Sequence, residues 1–408
     1  MKVLYFHQYF VTPWGSGGNR SYWMAEALIQ KGHQVTMVCG SGHGETGLEG
    51  PFLGGKRRGL VGRIEVVELE LPYSNHLSLL KRSRIFLSFS FQAILLALRE
   101  EYDLVFATTT PLTAGIPGIF ARWFRKKPFV FEVRDLWPEL PKAMGVVTNP
   151  MVLGLLSLLE WACYHSAHRL IGLSPGIVKG IHRRGVDFGK IVMIPNGCDH
   201  QFFSRSKKPW RPAGVAETDF MAVFTGAHGI ANGLQAVIDA AVELQNRQRQ
   251  DIKLVLVGDG KLKPLLQEKT KQAGLENLIF HDPIPKPELI GLLESADLGM
   301  QILANVPAFY YGTSPNKFFD YLVIGLPVLN NYPGWLADLI SESNCGFVVP
   351  PNSPNAFADA LEEAAGNLDE LQNKGQRARV LSQRFSREEL ALQWVGWLEN
   401  TFSEHQSE

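Results

Sequence analysis

Two doubly wound α/β halves are predicted, on three observations. The 408-residue chain is longer than one ordinary α/β core needs and comfortable for two. Short β-branched runs alternate with turn residues and helical periodicity along most of it, as in parallel sheets covered by helices. A basic, Pro-rich, strandless stretch at 204–214 breaks that alternation near the middle and reads as a linker.

The first half opens on a strand at 2–6, a Gly-rich loop and a helix over 19–31. Further strands are predicted at 34–39, 63–69, 104–107, 129–131, 170–172 and 191–194, with helical patterns at 86–99 and 152–167. The second half restarts with strands at 221–224, 253–257, 278–280, 298–302, 327–330 and 346–349. An amphipathic helix over 386–403, with Leu390, Trp394, Trp397 and Leu398 at helical spacing, closes the chain. The domains expected are Rossmann-like, 1–200 and 201–385, followed by the helical segment 386–408. Their facing strand ends would leave a cleft.

Composition narrows the function. Hydrophobic residues make up 45% and charged residues 20%, the balance of a globular enzyme. Formal net charge is zero, yet residues 1–185 hold 21 Lys+Arg against 13 Asp+Glu, and the remainder 19 against 27. A basic first half suggests an anionic partner, a phosphate-bearing substrate or a lipid surface. Its clusters are Lys56-Arg57-Arg58, Lys81-Arg82-Ser83-Arg84 and Arg125-Lys126-Lys127, each a candidate for an interfacial surface or simply a solvated basic face. They match no nucleic-acid-binding module, so no nucleic acid partner is expected. Cys39, Cys163, Cys198 and Cys345 form no CxxC and suggest neither zinc nor a disulfide framework. No signal peptide is read at the start, and the apolar segments near 85–98 and 111–124 are too short and broken to span a bilayer.

Four stretches carry chemistry. Gly15-Ser16-Gly17-Gly18-Asn19-Arg20 joins the first strand to the first helix, where backbone amides can meet an anion; a plain tight turn reads equally well. Arg134-Asp135-Leu136-Trp137-Pro138 leaves a strand end, the usual place for active-site groups in open sheets, although Arg134 and Asp135 could simply pair. Gly226, His228, Gly229 and Gly233 follow one strand of the second half, and Gly258-Asp259-Gly260-Lys261 the next, together outlining a nucleotide crevice. Finally, Ser314-Pro315-Asn316-Lys317 starts a helix with a cation in its first turn, against the helix dipole, which a bound anion would offset. Asp320 follows on the same face, suiting a ribose diol, or else an ordinary i,i+3 salt bridge with Lys317.

In this order the pieces resemble the retaining glycosyltransferases of family 4, which have a GT-B fold. The likeness rests on the Gly-Ser-Gly-Gly loop, Arg134 to Pro138, Ser174, Ile194-Pro195-Asn196-Gly197-Cys198-Asp199, Val257-Gly258-Asp259-Gly260 and Ser314 to Asp320. It covers nearly the whole chain and is closest to the branch that builds bacterial O-antigen and capsular polysaccharides. The resemblance implies that Lys317 contacts the donor diphosphate and that Asp320, where the family usually has Glu, holds the ribose hydroxyls. It places Gly258 to Lys261 near the nucleotide, Gly17 and Gly18 near donor phosphate or acceptor, and the final helix back on the N-terminal domain. It makes residues 1–200 the acceptor side and 201–385 the nucleotide-sugar side.

This sequence departs from the family in three places. Gly312 stands eight residues before Asp320, where an acid is common; Ala227 and Asn232 stand where many members have Arg and Lys; Arg134 replaces a frequent His. No Asp-x-Asp occurs, so metal-independent chemistry is expected, with Lys317 and helix-end amides taking the leaving-group charge. Arg134 would pair with phosphate and Asp135 orient the acceptor or the reacting sugar. No cofactor is expected beyond a nucleotide-sugar donor, a UDP-sugar. The expected acceptor is a polyprenyl-diphosphate-linked saccharide, reached by peripheral association with the inner face of the cytoplasmic membrane. A nucleotide-sugar 2-epimerase of similar architecture, or a catalytically silent membrane partner of an assembly complex, are the alternatives.

Overall fold

The computed structural model describes residues 1–15, 18–42, 46–74, 77–204 and 208–407. The chain forms two compact units. Unit 1 comprises Met1–Pro195, Gly312–Ser314 and Glu388–Glu408, and unit 2 comprises Asn196–Tyr311 and Pro315–Arg387.

Unit 1 is built on strands β1 (Lys2–Phe6), β2 (Gln34–Gly40), β3 (Lys56–Val61), β4 (Ile64–Leu69), β5 (Leu104–Thr108), β6 (Phe129–Val133), β7 (Arg169–Gly172) and β8 (Ile191–Met193). They form one sheet in the order β3-β4-β2-β1-β5-β6-β7-β8, parallel except for the edge strand β3. Its helices include α1 (Arg20–Gln30), α2 (Leu79–Arg99), α3 (Ile116–Phe124), α4 (Glu139–Ala143), α5 (Pro150–Ser166) and α6 (Pro175–Arg183). Alternate residues of each strand face opposite layers. Leu4, Phe6, Val105, Phe129 and Phe131 pack against α2, α3 and α5, whereas Val3, Tyr5, Leu104, Phe106 and Val130 face the other side, with α1.

Unit 2 begins with α7 (His200–Phe203) and carries β9 (Phe220–Thr225), β10 (Ile252–Val257), β11 (Leu278–His281), β12 (Leu298–Gln301), β13 (Val328–Asn330) and β14 (Gly346–Val348). All are parallel, in the order β11-β10-β9-β12-β13-β14. Between and after them run α8 (Gln235–Asn246), α9 (Lys263–Gln272), α10 (Lys286–Ser295), α11 (Pro307–Gly312), α12 (Asn316–Ile324), α13 (Trp335–Ser343), α14 (Pro354–Gly366) and α15 (Leu368–Gln383).

The last helix, α16 (Arg387–Ser407), lies in unit 1 on the α1 side of the sheet. Trp394 is fully buried there, its ring 4.8 Å from Phe106 and 6.0 Å from Tyr5. Arg169 stacks over Trp397 at 4.2 Å and pairs with Glu404. The α/β class and the returning helix are therefore as the sequence predicts.

Two local readings change. Lys56-Arg57-Arg58 is not a loose basic cluster but the start of β3, and two of its charges are consumed: Arg57 binds Glu68 at 2.7 Å, and Arg58 binds Glu65 and Glu100. Lys81 to Arg84 do not precede the next helix; they lie within α2, which starts seven residues before the predicted 86. Residues 208–214 carry no helix or strand, yet the segment is strapped to α10: Trp210 donates from Nε1 to Glu288 O and from its backbone to Gly291 O.

Candidate functional site

In unit 2 the C-terminal ends of the neighbouring strands β9 and β10 release two Gly-rich loops that lock together through their backbones. Gly226 N donates to Val257 O and His228 N to Asp259 O, while Gly258 N donates outward to His281 O at the end of β11. The glycines are required for this. Gly226, Gly258 and Gly260 have φ of 141°, 148° and 157°, a region that L side chains rarely adopt. A Cβ on Gly258 would stand 1.9 Å from Gly226 O, and one on Gly260 2.7 Å from His228 O. The close approach that selects glycine at 258 and 260 is thus loop against loop. Gly229 has open space around its α-carbon instead.

His228 is wholly buried in this lock, and desolvation pulls it down to about 4, with Lys263 and Lys317 acting the same way. Neither ring nitrogen has a hydrogen-bond partner among the described residues. Asp259 and Lys261 are exposed on the loop rim. Beneath them the buried Lys263 donates to Gly258 O, His281 O and Asp282, pinning the second loop.

Helix α12 brings its first turn to this loop pair. Pro315 is its N-cap and Asn316 its first residue, with no acid in the first turn. Lys317 Nζ lies 3.6 Å from the centre of the Phe224 ring and 3.4 Å from Asn232 Oδ1. Asn232 in turn donates to Ala227 O, so the departure at 232 leaves the lysine a neutral partner rather than a second cation. A Cβ on Gly226 would come within 3.0 Å of Nζ, so that glycine makes room for the ammonium. Burial pulls Lys317 down to about 7.

The predicted alternative, an ion pair between Lys317 and Asp320, is not formed. Asp320 is 7% exposed and accepts from Lys286 Nζ at 3.3 Å. Lys286 is also held between the rings of Phe202 and Phe203, at 5.6 and 5.4 Å. Phe224, Lys263 and Lys286 were not singled out from the sequence: the charged groups they meet, Lys317, Asp282 and Asp320, lie 19 or more residues away, which no local pattern signals.

In unit 1, Arg134 and Asp135 follow β6. Arg134 N donates to Thr109 Oγ1, and its guanidinium lies 3.4 Å from His7 Nε2; Arg134 and Asp135 form no ion pair. Desolvation raises Asp135, opposed by the nearby Arg134 charge. Arg20, the first residue of α1, is the unexpected organiser. Its buried guanidinium donates twice to the fully buried Glu132 and once each to Ile194 O and Pro195 O. This clamp fixes the helix that follows Gly18 to the end of β6 and to the 194–199 motif. Gly18 immediately precedes the N-cap Asn19; Gly17 lies outside the described residues. Within the shared motifs, Ser174 and Asp199 cap the short helices α6 and α7.

Two parallel-sheet units, Gly-rich loops at strand ends and a lysine on a helix start define the architecture to be compared. A family model described as a glycosyl transferase 4-like domain matches residues 15–197, and one described as glycosyl transferases group 1 matches 219–367. Each half of this chain thus matches a glycosyltransferase family domain, and the fold is GT-B. A D-inositol 3-phosphate glycosyltransferase of Paenarthrobacter aurescens is 28% identical over 54% of the chain, and the match spans about half (54%) of that relative's own length. The chain is also similar to a probable glycosyltransferase, WbjE, of Pseudomonas aeruginosa, 24% identical over 78% of this chain and 80% of that one. An O-antigen chain mannosyltransferase C of Escherichia coli is 23% identical over 57% and 61%. Among solved structures, sucrose-phosphate synthase of Thermosynechococcus elongatus superposes with a TM-score of 0.77 at 17% identity, covering 99% of both chains. HepE of Anabaena, in complex with UDP-glucose, gives 0.68 at 17%, covering 98% and 100%. At these identities the solved structures speak to the fold alone.

Proposed function

We propose that this glycosyltransferase moves a sugar from a UDP-sugar to a lipid-linked saccharide in the assembly of a bacterial surface polysaccharide. The observation that carries the reading is Lys317. A half-buried ammonium sits in the first turn of α12, beside the glycine lock, with a ring and a neutral amide rather than a carboxylate for partners. Such a group is stabilised by an anion, and breaking a glycosyl–phosphate bond places growing negative charge on a diphosphate. The α12 amides and Lys317 would take that charge without a metal. Gly226, Gly229 and the 258–261 loop would border the nucleotide, and Asp320 would accept from the ribose. Arg134 would pair with phosphate and Asp135 orient the acceptor or the reacting sugar. Retention would follow from the departing phosphate oxygen assisting the incoming hydroxyl.

UDP is taken by analogy with HepE, a protein of the same fold solved with UDP-glucose, and the polysaccharide role by analogy with the O-antigen relative. A polyprenyl-diphosphate-linked acceptor would bring the protein to the inner face of the cytoplasmic membrane as a peripheral protein. No helix of the described residues is long and apolar enough to cross a membrane.

The test is a panel of UDP-, GDP- and dTDP-sugars with a crude lipid-linked acceptor fraction and EDTA, run for wild type and Lys317→Ala. Acceptor-dependent release of UDP that resists EDTA and is lost in the variant is expected. Release that needs metal, or survives the substitution, overturns the assignment of Lys317. Conversion of donor without acceptor would instead indicate epimerisation.

A further inference from the structure

Helices α2, α3 and α5 cover one face of the unit 1 sheet, and their inner sides are ordinary core: Phe89, Ala93 and Ala97 on α2, Ala121 on α3, Cys163 and Tyr164 on α5. Their outer sides are apolar too. The three helices contain 21, 9 and 17 residues, yet hold eleven of the 23 large hydrophobic side chains exposed among the described residues. These do not scatter. Leu80, Leu87 and Phe91 repeat at helical spacing on α2, 62–64% exposed, and Leu155 and Leu158 do so on α5, 61–62% exposed. Trp123, 56% exposed, joins the stripes: its indole donates to Ser166 Oγ, tying the end of α3 to the end of α5. Isolated exposed leucines need no explanation, but a contiguous apolar field of this size marks a contact surface.

Charge identifies what it meets. Neither α2 nor α3 contains an acid, and the single acid of α5, Glu160, is buried and paired with Arg184. Lys81, Arg84 and Lys126 stand exposed around the apolar field. A second copy docking through the same patch would bring two patches of one charge sign together, because a two-fold interface uses the same surface on both copies. An anionic bilayer surface complements both features: headgroups for the cations, acyl chains for the Leu, Phe and Trp side chains. The amphipathic faces lie along such a surface, since none of the three helices is able to span it.

We infer that the outer face of α2, α3 and α5 inserts into the headgroup–acyl boundary of an anionic membrane. This deepens the peripheral association proposed above, naming its surface and making burial of apolar side chains, rather than charge alone, the anchor.

The experiment is co-sedimentation of the full chain with vesicles of phosphatidylethanolamine and phosphatidylglycerol, or of phosphatidylcholine alone, at about 0.1 M and about 0.5 M salt. The variants are Leu87→Asp/Phe91→Asp, the milder Leu87→Ser/Phe91→Ser, and Lys81→Glu/Arg84→Glu, each checked for unchanged circular dichroism and UDP binding. Wild type should bind the anionic vesicles, lose about tenfold in affinity at the higher salt and keep the rest. The Asp pair should lose at least about tenfold at both salts, the Ser pair less, and the charge variant only the salt-sensitive part. Quenching of Trp123 by brominated acyl chains should accompany binding. Wild-type binding with all three variants unaffected overturns the assigned surface and leaves peripheral association standing. No binding of wild type to any vesicle overturns both. Dimerisation broken by the apolar variants, without vesicle binding, assigns the patch to a second copy and overturns the inference. None of these outcomes bears on the donor reading, which is measured separately.

Discussion

Lys286 Nζ and Asp320 Oδ1 stand 3.3 Å apart, both about nine-tenths buried, on the first turn of α10 and the middle of α12. The carboxylate assigned to a ribose diol therefore carries its own counter-ion. Lys286→Met should leave a buried, unpaired carboxylate and destabilise unit 2 by about 3 kcal/mol, while Lys286→Met/Asp320→Asn should recover part of that loss. Urea denaturation of the four proteins of the cycle measures it; additive effects would mean that the pair is not coupled.

Lys317 gives the proposed donor site a pH dependence of known sign. Its ammonium is pulled down to about 7 by burial, and a neighbouring diphosphate would raise it again. Donor binding should therefore take up protons. Affinity for UDP-glucose should be greatest below about pH 7 and weaken by about tenfold per unit as pH rises above it, until the raised value is passed. Calorimetry in buffers of different ionisation enthalpy reads this directly, and Lys317→Ala should abolish the proton uptake and lower kcat by about 10²–10³-fold.

Two glycines on the interlocked loops, Gly258 and Gly229, should differ sharply in tolerance. Gly258→Ala puts a methyl where Gly226 O already lies and at a φ of 148°, so loss of soluble protein or of UDP binding is expected. Gly229→Ala meets nothing within 4 Å and should fold as wild type. Equal behaviour of the two variants would contradict the loop-on-loop lock.

Acid should weaken the fold before carboxylates titrate. His228 and His168 are both pulled from 6.5 to about 4 by burial. Between those values the unfolded chain binds more protons than the folded one, so stability falls as pH drops through that window. The midpoint of urea denaturation should decrease from pH 7 to pH 5, and His228→Gln should shrink the decrease.

Trp394→Ala should cost about 3–5 kcal/mol, the usual range for emptying a buried aromatic site, and should do so in unit 1 although the residue lies after unit 2 in the chain. Hydrogen exchange localises the effect: β1 and β5, which present Tyr5 and Phe106 to the indole, should lose protection.

What the sequence disclosed follows its local signals. Buried parallel strands such as 252–257 read plainly because both faces are apolar. Strand β3 was missed because an edge strand need bury little, and Lys56-Arg57-Arg58-Gly59 has neither apolar alternation nor β-branched residues until Val61. Lys317 was legible because a cation at a helix start is locally unfavourable. Its partners were not: Phe224 and Asn232 lie 93 and 85 residues away, and nothing local in either tells which side chain will meet it. Arg20 reads only as the end of the Gly-rich stretch for the same reason, since its role is defined by Glu132 and by carbonyls 174 and 175 residues on.

The aromatic slot that Tyr5 and Phe106 hold for Trp394 sets an order of events during synthesis. Every residue of unit 2 is joined to the chain before the side chain that completes unit 1 is made. The second unit, though later in the chain, is the first whose sequence is whole, and the first must wait with a sheet face only partly covered by α1 until the final helix is made. A chain ending short of Trp394 would hold a second unit of whole sequence and an unfinished first one, and chaperones would be drawn to the N-terminal half of such a chain rather than to its newest part.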